Sequence, residues 1–501
     1  MIPVLNTLGI LLEVLILFNF IILVHELGHF LAARWRGLKV EKFQIWFGRP
    51  IWSKTVNGVR YGLGWIPAGG FVALPQMLPM EMLEGRSESG EESLPPAKPM
   101  DRIIVAFAGP LFSFGLAAVF AVLVWAVGHP VPVSQKTTTI GFVDPEGAEG
   151  VEQLRAGDVI RRVDNRPVER WHGMIDSVTW NIVSSQDDTI RFEVDRPGEG
   201  LRSFEVKPDR PSEGAAKQSW LDRFFSRSQL RQVGIGPKFE PMVGKVLPGS
   251  PAERAGIRPS DIVAQIDGED IIHPAQVAEK VRQSEGRPLQ FTVWRPLRGG
   301  RDREVREFTI TPQRPLKREE SGPDPPLMIG TVWDETGLTV LEHPGPVRQI
   351  RQSVQTMVST LGAVFSPRSE IGLQHLSGPV MIMRVYYLFF EDKDGWRRAL
   401  WFSVVLNINL AILNLLPFPV LDGGHIAMSF LEMVRRKPIN VRVLEVVQLG
   451  CVVLLIAFML HVTRFDLGDI FRSGGAEQEM PVFEWQRNPG GEGGAGEAAT
   501  E

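Results

Sequence analysis

The apolar run Leu8-Gly-Ile-Leu-Leu-Glu-Val-Leu-Ile-Leu-Phe-Asn-Phe-Ile-Ile-Leu-Val24 leads without a break into His25-Glu26-Leu27-Gly28-His29. Only Glu13 and Asn19 interrupt its apolar character. A signal peptide would need a basic start and a small-residue cleavage site, and neither is present. The run therefore reads as a membrane span of about residues 8–30 that ends in two imidazoles and a carboxylate. Such groups are costly at that depth unless they are used. On a helix, His25 and His29 stand one turn apart on one face, so both can bind a single zinc ion. Glu26 lies beside them and can take a proton from water that the metal acidifies.

Three further runs have span-like composition: Ile103–Val127, Ala399–Leu421 and Leu444–Leu460. The first two carry no charge, although Ala399–Leu421 contains Asn407, Asn409 and Asn414. The expected fold is a multi-pass α-helical membrane protein with four spans. The average over 501 residues, 44% hydrophobic and 22% charged, hides this segregation. A net charge of -4 gives no basic field for nucleic acid, and the apolar runs make the lipid bilayer an expected partner. Cys451 is the single cysteine, which excludes an internal disulfide and a cysteine-rich zinc site. A metal must then be held by His, Asp or Glu. Arg34, Arg36, Lys39, Lys42 and Arg49 follow the first span, and Arg435, Arg436, Lys437 and Arg442 precede the last. Both loops are expected on the cytoplasmic side, and the large region between the second and third spans on the other.

That region contains an imperfect internal repeat. Val151 to Val168 and Ser250 to Ile271 each read as a short helix, a turn, a strand and an Asp-Asn or Asp-Gly turn. Both copies resemble the PDZ domains of bacterial proteases, which imply two α+β domains able to take peptide ligands as an added strand. In the second copy Pro259-Ser260-Asp261 stands where Gly-Asp is usual. Gly234-Ile235-Gly236 is a candidate loop for a chain-end carboxylate, with a plain turn as the competing reading. On the cytoplasmic side, residues 40–75 alternate apolar and polar around Asn57-Gly58, which predicts a membrane-associated β-hairpin. Its edge, at positions such as Ile45 or Val59, could receive a substrate strand; a simple interfacial anchor is the alternative. The expected domains are an N-terminal membrane segment (1–130), a first PDZ-like domain (131–212), a linker (213–230) and a second PDZ-like domain (231–315). A connector with membrane-proximal helices (316–398), a C-terminal membrane segment (399–465) and a disordered tail (466–501) complete the chain.

Zinc needs a third protein ligand and an open position. Asp422 in Asn414-Leu-Leu-Pro-Phe-Pro-Val-Leu-Asp-Gly-Gly424 ends the third span on the side of His25 and is the candidate. His425 is the rival. Pro417 and Pro419 would break the helix there and line a cavity, and Asn414 could hydrogen-bond an unwound substrate.

With these residues in place the chain resembles the site-2 protease family of intramembrane zinc metalloproteases, and within it the bacterial regulator-of-sigma-E protease group. The resemblance covers nearly the whole chain to about residue 465. It rests on His25-Glu26-x-x-His29, Ile66-Pro-Ala-Gly-Gly-Phe-Val72, Ala108-Gly-Pro110, the two repeats, Leu376-Ser-Gly-Pro379 and Asn414 to Gly424. It implies Zn2+ held by His25, His29 and Asp422, Glu26 as catalytic base, and PDZ domains in the periplasm. It also implies an inner-membrane endopeptidase that cuts single-pass membrane proteins in or near their span, as the second cut of regulated intramembrane proteolysis, for example of an anti-sigma factor. Ser113 departs from the Asn frequent in the family. Two other classes compete. A membrane-anchored protease with a soluble active site would need a longer cytoplasmic domain than residues 32–100 provide. A non-enzymatic PDZ adaptor would need no zinc.

Overall fold

The computed structural model describes residues 2–77, 97–209, 230–297, 303–316, 325–334, 337–366, 369–437, 441–475 and 483. The chain opens with α1 (Ile2–Trp35), β1 (Lys42–Val56), β2 (Val59–Ala73) and α2 (Pro99–Val127). A large insert follows with β3 (His129–Pro132), β4 (Ile140–Val143), β5 (Val159–Val163), β6 (Arg166–Pro167), α3 (Val178–Ser184), β7 (Ile190–Arg196), β8 (Gly200–Val206) and β9 (Ile235–Pro237). It continues with β10 (Val243–Val246), α4 (Pro251–Ala255), β11 (Ile262–Ile266), β12 (Glu269–Asp270), α5 (Pro274–Gln283), β13 (Leu289–Pro296), β14 (Arg303–Ile310), β15 (Thr331–Trp333) and β16 (Thr339–Glu342). Five helices close the chain: α6 (Pro346–Phe365), α7 (Pro379–Glu391), α8 (Gly395–Asn414), α9 (Asp422–Arg435) and α10 (Val441–Gly475).

Among the described residues, three helical stretches are long and apolar enough to cross a membrane: Asn6–Trp35, Pro99–Val127 and Val446–Ile470. Their outward faces carry large apolar side chains, among them Leu12, Ile16, Val119, Trp125, Leu449 and Leu454, all exposed in the isolated chain. The helix of the run expected as the third span, Ala399–Leu421, ends early: α8 stops at Asn414, and α9 starts only at Asp422, beyond the run. Arg397 and Arg398 at its start, with Asn407, Asn409 and Asn414 along it, dilute the apolar character of α8. Its packing is nonetheless central. Ile21 of α1, Ala117, Phe120, Ala121 and Val124 of α2, and Val404 and Ile408 of α8 form one buried cluster. Ala117 and Ala121 are fully buried, and small side chains there let helix backbones approach closely. The last helix extends to Gly475, past residue 466 where the tail was expected to begin.

The expected hairpin is more elaborate than two strands. Asn57 and Gly58 turn with φ of 49° and 80°, the left-handed values that a two-residue hairpin loop needs. Each strand then bends back on itself. Lys42–Ile45 pairs with residues 60–63 on one side and residues 70–73 on the other. The start of β1 is therefore interior, and Ile45, bonded between Leu63 and Gly70, is not an edge position. Residues 70–73 form an outer edge. The bend uses Trp46 at φ 67° and Gly48 at φ 87°, and Gly48 lies so close to the Trp65 indole that a Cβ would overlap it.

The two repeats fold alike. Their sheets run β6-β5-β7-β8 and β12-β11-β13-β14. Each module buries a separate apolar core, one around Ile160, Phe192 and Val194, the other around Ile266, Phe291 and Val293. The same ion pair recurs in both. Arg196 grips buried Asp158 at 2.8 Å, and Arg295 grips buried Asp261 at 2.7 Å. In each module the acid also accepts a backbone N–H three residues before it, from Arg155 and Arg258 respectively. Ser260 holds φ 72° where Gly157 holds φ 96° in the first module, so Ser260 in the second repeat keeps the turn with a residue less suited to it. Gly234, Ile235 and Gly236 lie at β9, which pairs with β4 and so completes the first module, not the second. The second is completed in the same way by β15 on β10.

The insert is fastened to the helices. Gln349 of α6 donates to the Ala121 carbonyl of α2, and Arg348 pairs with Glu169 of the first module at 2.6 Å. His129 stacks on Trp401 of α8, and its burial pushes its pKa down to about 4, so it is neutral at pH 7.

Candidate metal centre

Near its C-terminal end α1 turns His25 and His29 toward α2. Gly28 and Gly109 make this possible. A Cβ on Gly28 would overlap the Ala108 carbonyl, and one on Gly109 would overlap His29 Nε2. The two helices cross at van der Waals contact, and the Ala108-Gly-Pro110 segment faces the imidazoles with bare backbone.

The third group arrives from α9. Residues 415–421 form a tight return between α8 and α9. Gly423 and Gly424 let α9 seat against it, since side chains there would overlap the carbonyls of Leu415 and Phe418. Asp422 is then the first helical residue of α9, rather than the end of the preceding span. Its Oδ2 lies 3.3 Å from His25 Nε2 and its Oδ1 3.4 Å from His29 Nε2. The two Nε2 atoms are 3.3 Å apart. Ligand atoms of His25, His29 and Asp422 all fall within 4.8 Å of one another, and His425 is not among them. Asn414 Nδ2 sits 3.3 Å from His25 Nε2.

The other ring nitrogens decide what this cluster can hold. His29 Nδ1 is 2.9 Å from the Val105 carbonyl, which can only accept, so Nδ1 carries the proton and in the neutral ring Nε2 presents a lone pair. His25 Nδ1 is 2.9 Å from Ser113 Oγ, which can accept in the same manner. Two lone pairs and a carboxylate then face one another in a buried space. That arrangement repels itself unless a cation lies between, and two imidazoles with one carboxylate and an open side suit zinc. The residues fit the metal.

Glu26 stands on the neighbouring face of α1, against the sheet. A Cβ on Gly70 would approach its Cγ at 3.4 Å and the Gln44 carbonyl at 3.2 Å. The outer edge of the sheet, residues 70–73, thus begins beside the candidate base. Two ion pairs brace the surroundings: Arg36, just past the end of α1, pairs with Asp101 of α2 at 2.7 Å, and Arg102 with Glu432 joins α2 to α9.

The positions of His25, Glu26, His29, Asn414 and Asp422 were visible in sequence. The roles of Val105, Ser113 and Gly109 were not. Ser113 stood out only as a departure from the family's Asn, and the Ala108-Gly-Pro110 segment cannot be read as contacts without the helix crossing. Gly234, Ile235 and Gly236 lie in the insert, outside the metal cluster. Pro417 and Pro419 lie in the return beside it.

A Glu-bearing His-His-Asp centre at the end of apolar helices defines a membrane-embedded metallopeptidase. The sequence matches the model of peptidase family M50 over residues 13–458, and the chain belongs to this family of zinc-dependent, site-2 type proteases. It is similar to the protease RseP of Yersinia pestis, 27% identical over 445 residues that cover 84% of this chain and 90% of the relative. It is similar to the regulator of sigma E protease of Salmonella typhi at 27% over 448 residues, again 84% and 90%.

Ser113 is fully buried and contacts the ligand nitrogen's ring partner, so it is expected to orient His25. Ser113→Ala should weaken zinc binding by about 10–100-fold, read by competition with a chelator of known affinity. Unchanged affinity would mean that helix packing alone sets the ring.

Proposed function

We propose that this protease cuts single-pass membrane proteins within or near their spans, as the second cut of regulated intramembrane proteolysis, with an anti-sigma factor as one substrate type. The observation that carries this reading is the meeting of the His25, His29 and Asp422 cluster with a sheet edge at Gly70, next to Glu26. In this reading α8 is a fourth span, the protein sits in the inner membrane, and the site lies toward the cytoplasm. The two insert modules are PDZ-like and periplasmic, with Gly234, Ile235 and Gly236 as peptide contacts of the first.

His25 Nε2, His29 Nε2 and the Asp422 carboxylate would hold the zinc. When bound, zinc supplies Lewis acidity that polarises the scissile carbonyl and eases proton loss from water. Glu26 accepts that proton and returns it to the leaving amine. Ser113 and the Val105 carbonyl keep the imidazoles aimed. A peptide bond in a helix is shielded, so the substrate must unwind before attack. Residues 70–73 offer a strand edge that replaces the lost helical hydrogen bonds, and Asn414 holds a freed backbone group. Pro417 and Pro419 keep the return from closing over the space as helix.

The test uses proteoliposomes and a single-span substrate with a photo-reactive residue beside its cut site. Glu26→Gln serves as a trap. Cleavage should map within or next to the span, stop on chelation and resume with zinc, and crosslinks should fall in residues 66–73. Cuts only in soluble loops would refute the intramembrane substrate. Crosslinks confined to residues 52–56 would refute pairing at this edge.

A further inference from the structure

The C-terminal segment supplies one buried aromatic residue with no assigned role. Phe483 is only 7% exposed, although Gly- and Glu-containing sequence flanks it. Its ring lies on the second insert module, 3.2 Å from where a Cβ on Gly330 would stand. Gly330 itself, at φ 83°, is pressed against Ser250, the N-cap of α4. This is a backbone junction. Leu247 N–H donates to the Gly330 carbonyl and Ala252 N–H to the Ile329 carbonyl, both at 2.9 Å, which zips the lead-in of β15 to the start of α4. The ring covers that seam, with buried Leu247 and Ile329 contributing to it.

The chain's path is consistent with this seat. α10 meets the return near its start, where Gln448 donates to the Pro419 carbonyl at 3.2 Å, and farther along Asp466 accepts from the Gly378 and Met381 N–H groups. Its 35 residues span roughly 52 Å, well beyond the ~30 Å of hydrocarbon. From Gly475 the chain needs only to reach Phe483, a distance of at most roughly 28 Å when extended.

We propose that Phe483 is an intramolecular anchor for the second insert module, its ring seated at the Ser250–Gly330 seam. The Phe483 ring, packed on the seam, holds the lead-in of β15 against α4. A peptide in trans that carries an aromatic residue competes for the same seam. The inference is independent of the cleavage reaction, since none of these residues belongs to the metal centre.

The test is amide hydrogen exchange on the full chain in micelles, following Leu247, Ala252 and residues 329–331. Phe483→Ala should speed exchange there by about tenfold or more, the scale expected when one buried aromatic ring is lost. Phe483→Leu should speed it less. Adding the peptide Glu479–Arg487 to the Ala variant should restore protection, and the same peptide with Ala for Phe should not. A photo-reactive residue at 483 should crosslink within the same chain to residues 247–252 or 329–331. Unchanged exchange in Phe483→Ala, or crosslinks only to lipid or to a second copy, would overturn the proposal.

Discussion

Glu26→Gln is expected to lower cleavage of a single-span substrate by about 10²–10⁴-fold while zinc remains bound. The carboxamide keeps the size of the side chain and its place against Gly70, but it cannot take a proton. Glu26 is outside the three-residue cluster, so the metal loses no ligand. The pair of readouts separates two roles. Loss of both zinc and activity would make Glu26 a structural support of the site, and loss of activity alone makes it the base. Retained activity would move the proton transfer to another group, and Asn414 and the sheet edge offer none with the right chemistry. Product should be quantified by gel and zinc by elemental analysis on the same preparation.

The centre was legible in sequence because its main spacing is local. A His-x-x-x-His pair on one helix face is fixed by helix geometry, whatever surrounds it. Asp422 was legible for a second reason: an acid before Gly-Gly, after two prolines in an apolar run, announces a return that ends near the same depth. The break itself was placed imprecisely. The apolar run hides the fact that Asp422 opens α9, since apolar character alone does not distinguish a span's end from a tight turn between helices. The curled sheet was not legible. Asn57-Gly58 gives the turn, but the second pairing of Lys42–Ile45 depends on bends at Trp46, Gly48 and Gly69, where local sequence allows several paths. The same holds for the insert. Its repeats could be read from their turns, whereas the pairing that puts β9 into the first module is a tertiary decision.

That difference matters for substrate handling. An edge at Ile45 would have placed the pairing strand in the middle of the sheet, where both faces of the ladder are taken. Residues 70–73 lie instead at the border with α1, so an added strand there runs past Glu26. Under the proposed function, strand addition and catalysis would share one surface, and unwinding would deliver the substrate backbone to the side of Glu26.

Gly109→Ala is expected to abolish zinc binding, with metal content falling below about a tenth of wild type and cleavage falling with it. The added Cβ would overlap His29 Nε2 and Cε1 and lie 2.9 Å from His25 Nε2. Both imidazoles would have to turn away from Asp422, and their Nδ1 bonds to Ser113 and Val105 resist that turn. Helix propensity points the other way, because Ala in a helix interior is favoured over Gly by roughly 0.5–1 kcal/mol. A loss of zinc therefore cannot come from a weakened α2. Gly115→Ala supplies the control on the same helix, since nothing lies within 4 Å of a Cβ there. It should leave zinc content and thermal stability unchanged or slightly improved. If Gly109→Ala still binds zinc at full stoichiometry, α1 and α2 must separate readily, and the bare backbone at Gly109 would be a convenience of packing instead of a requirement of the metal site.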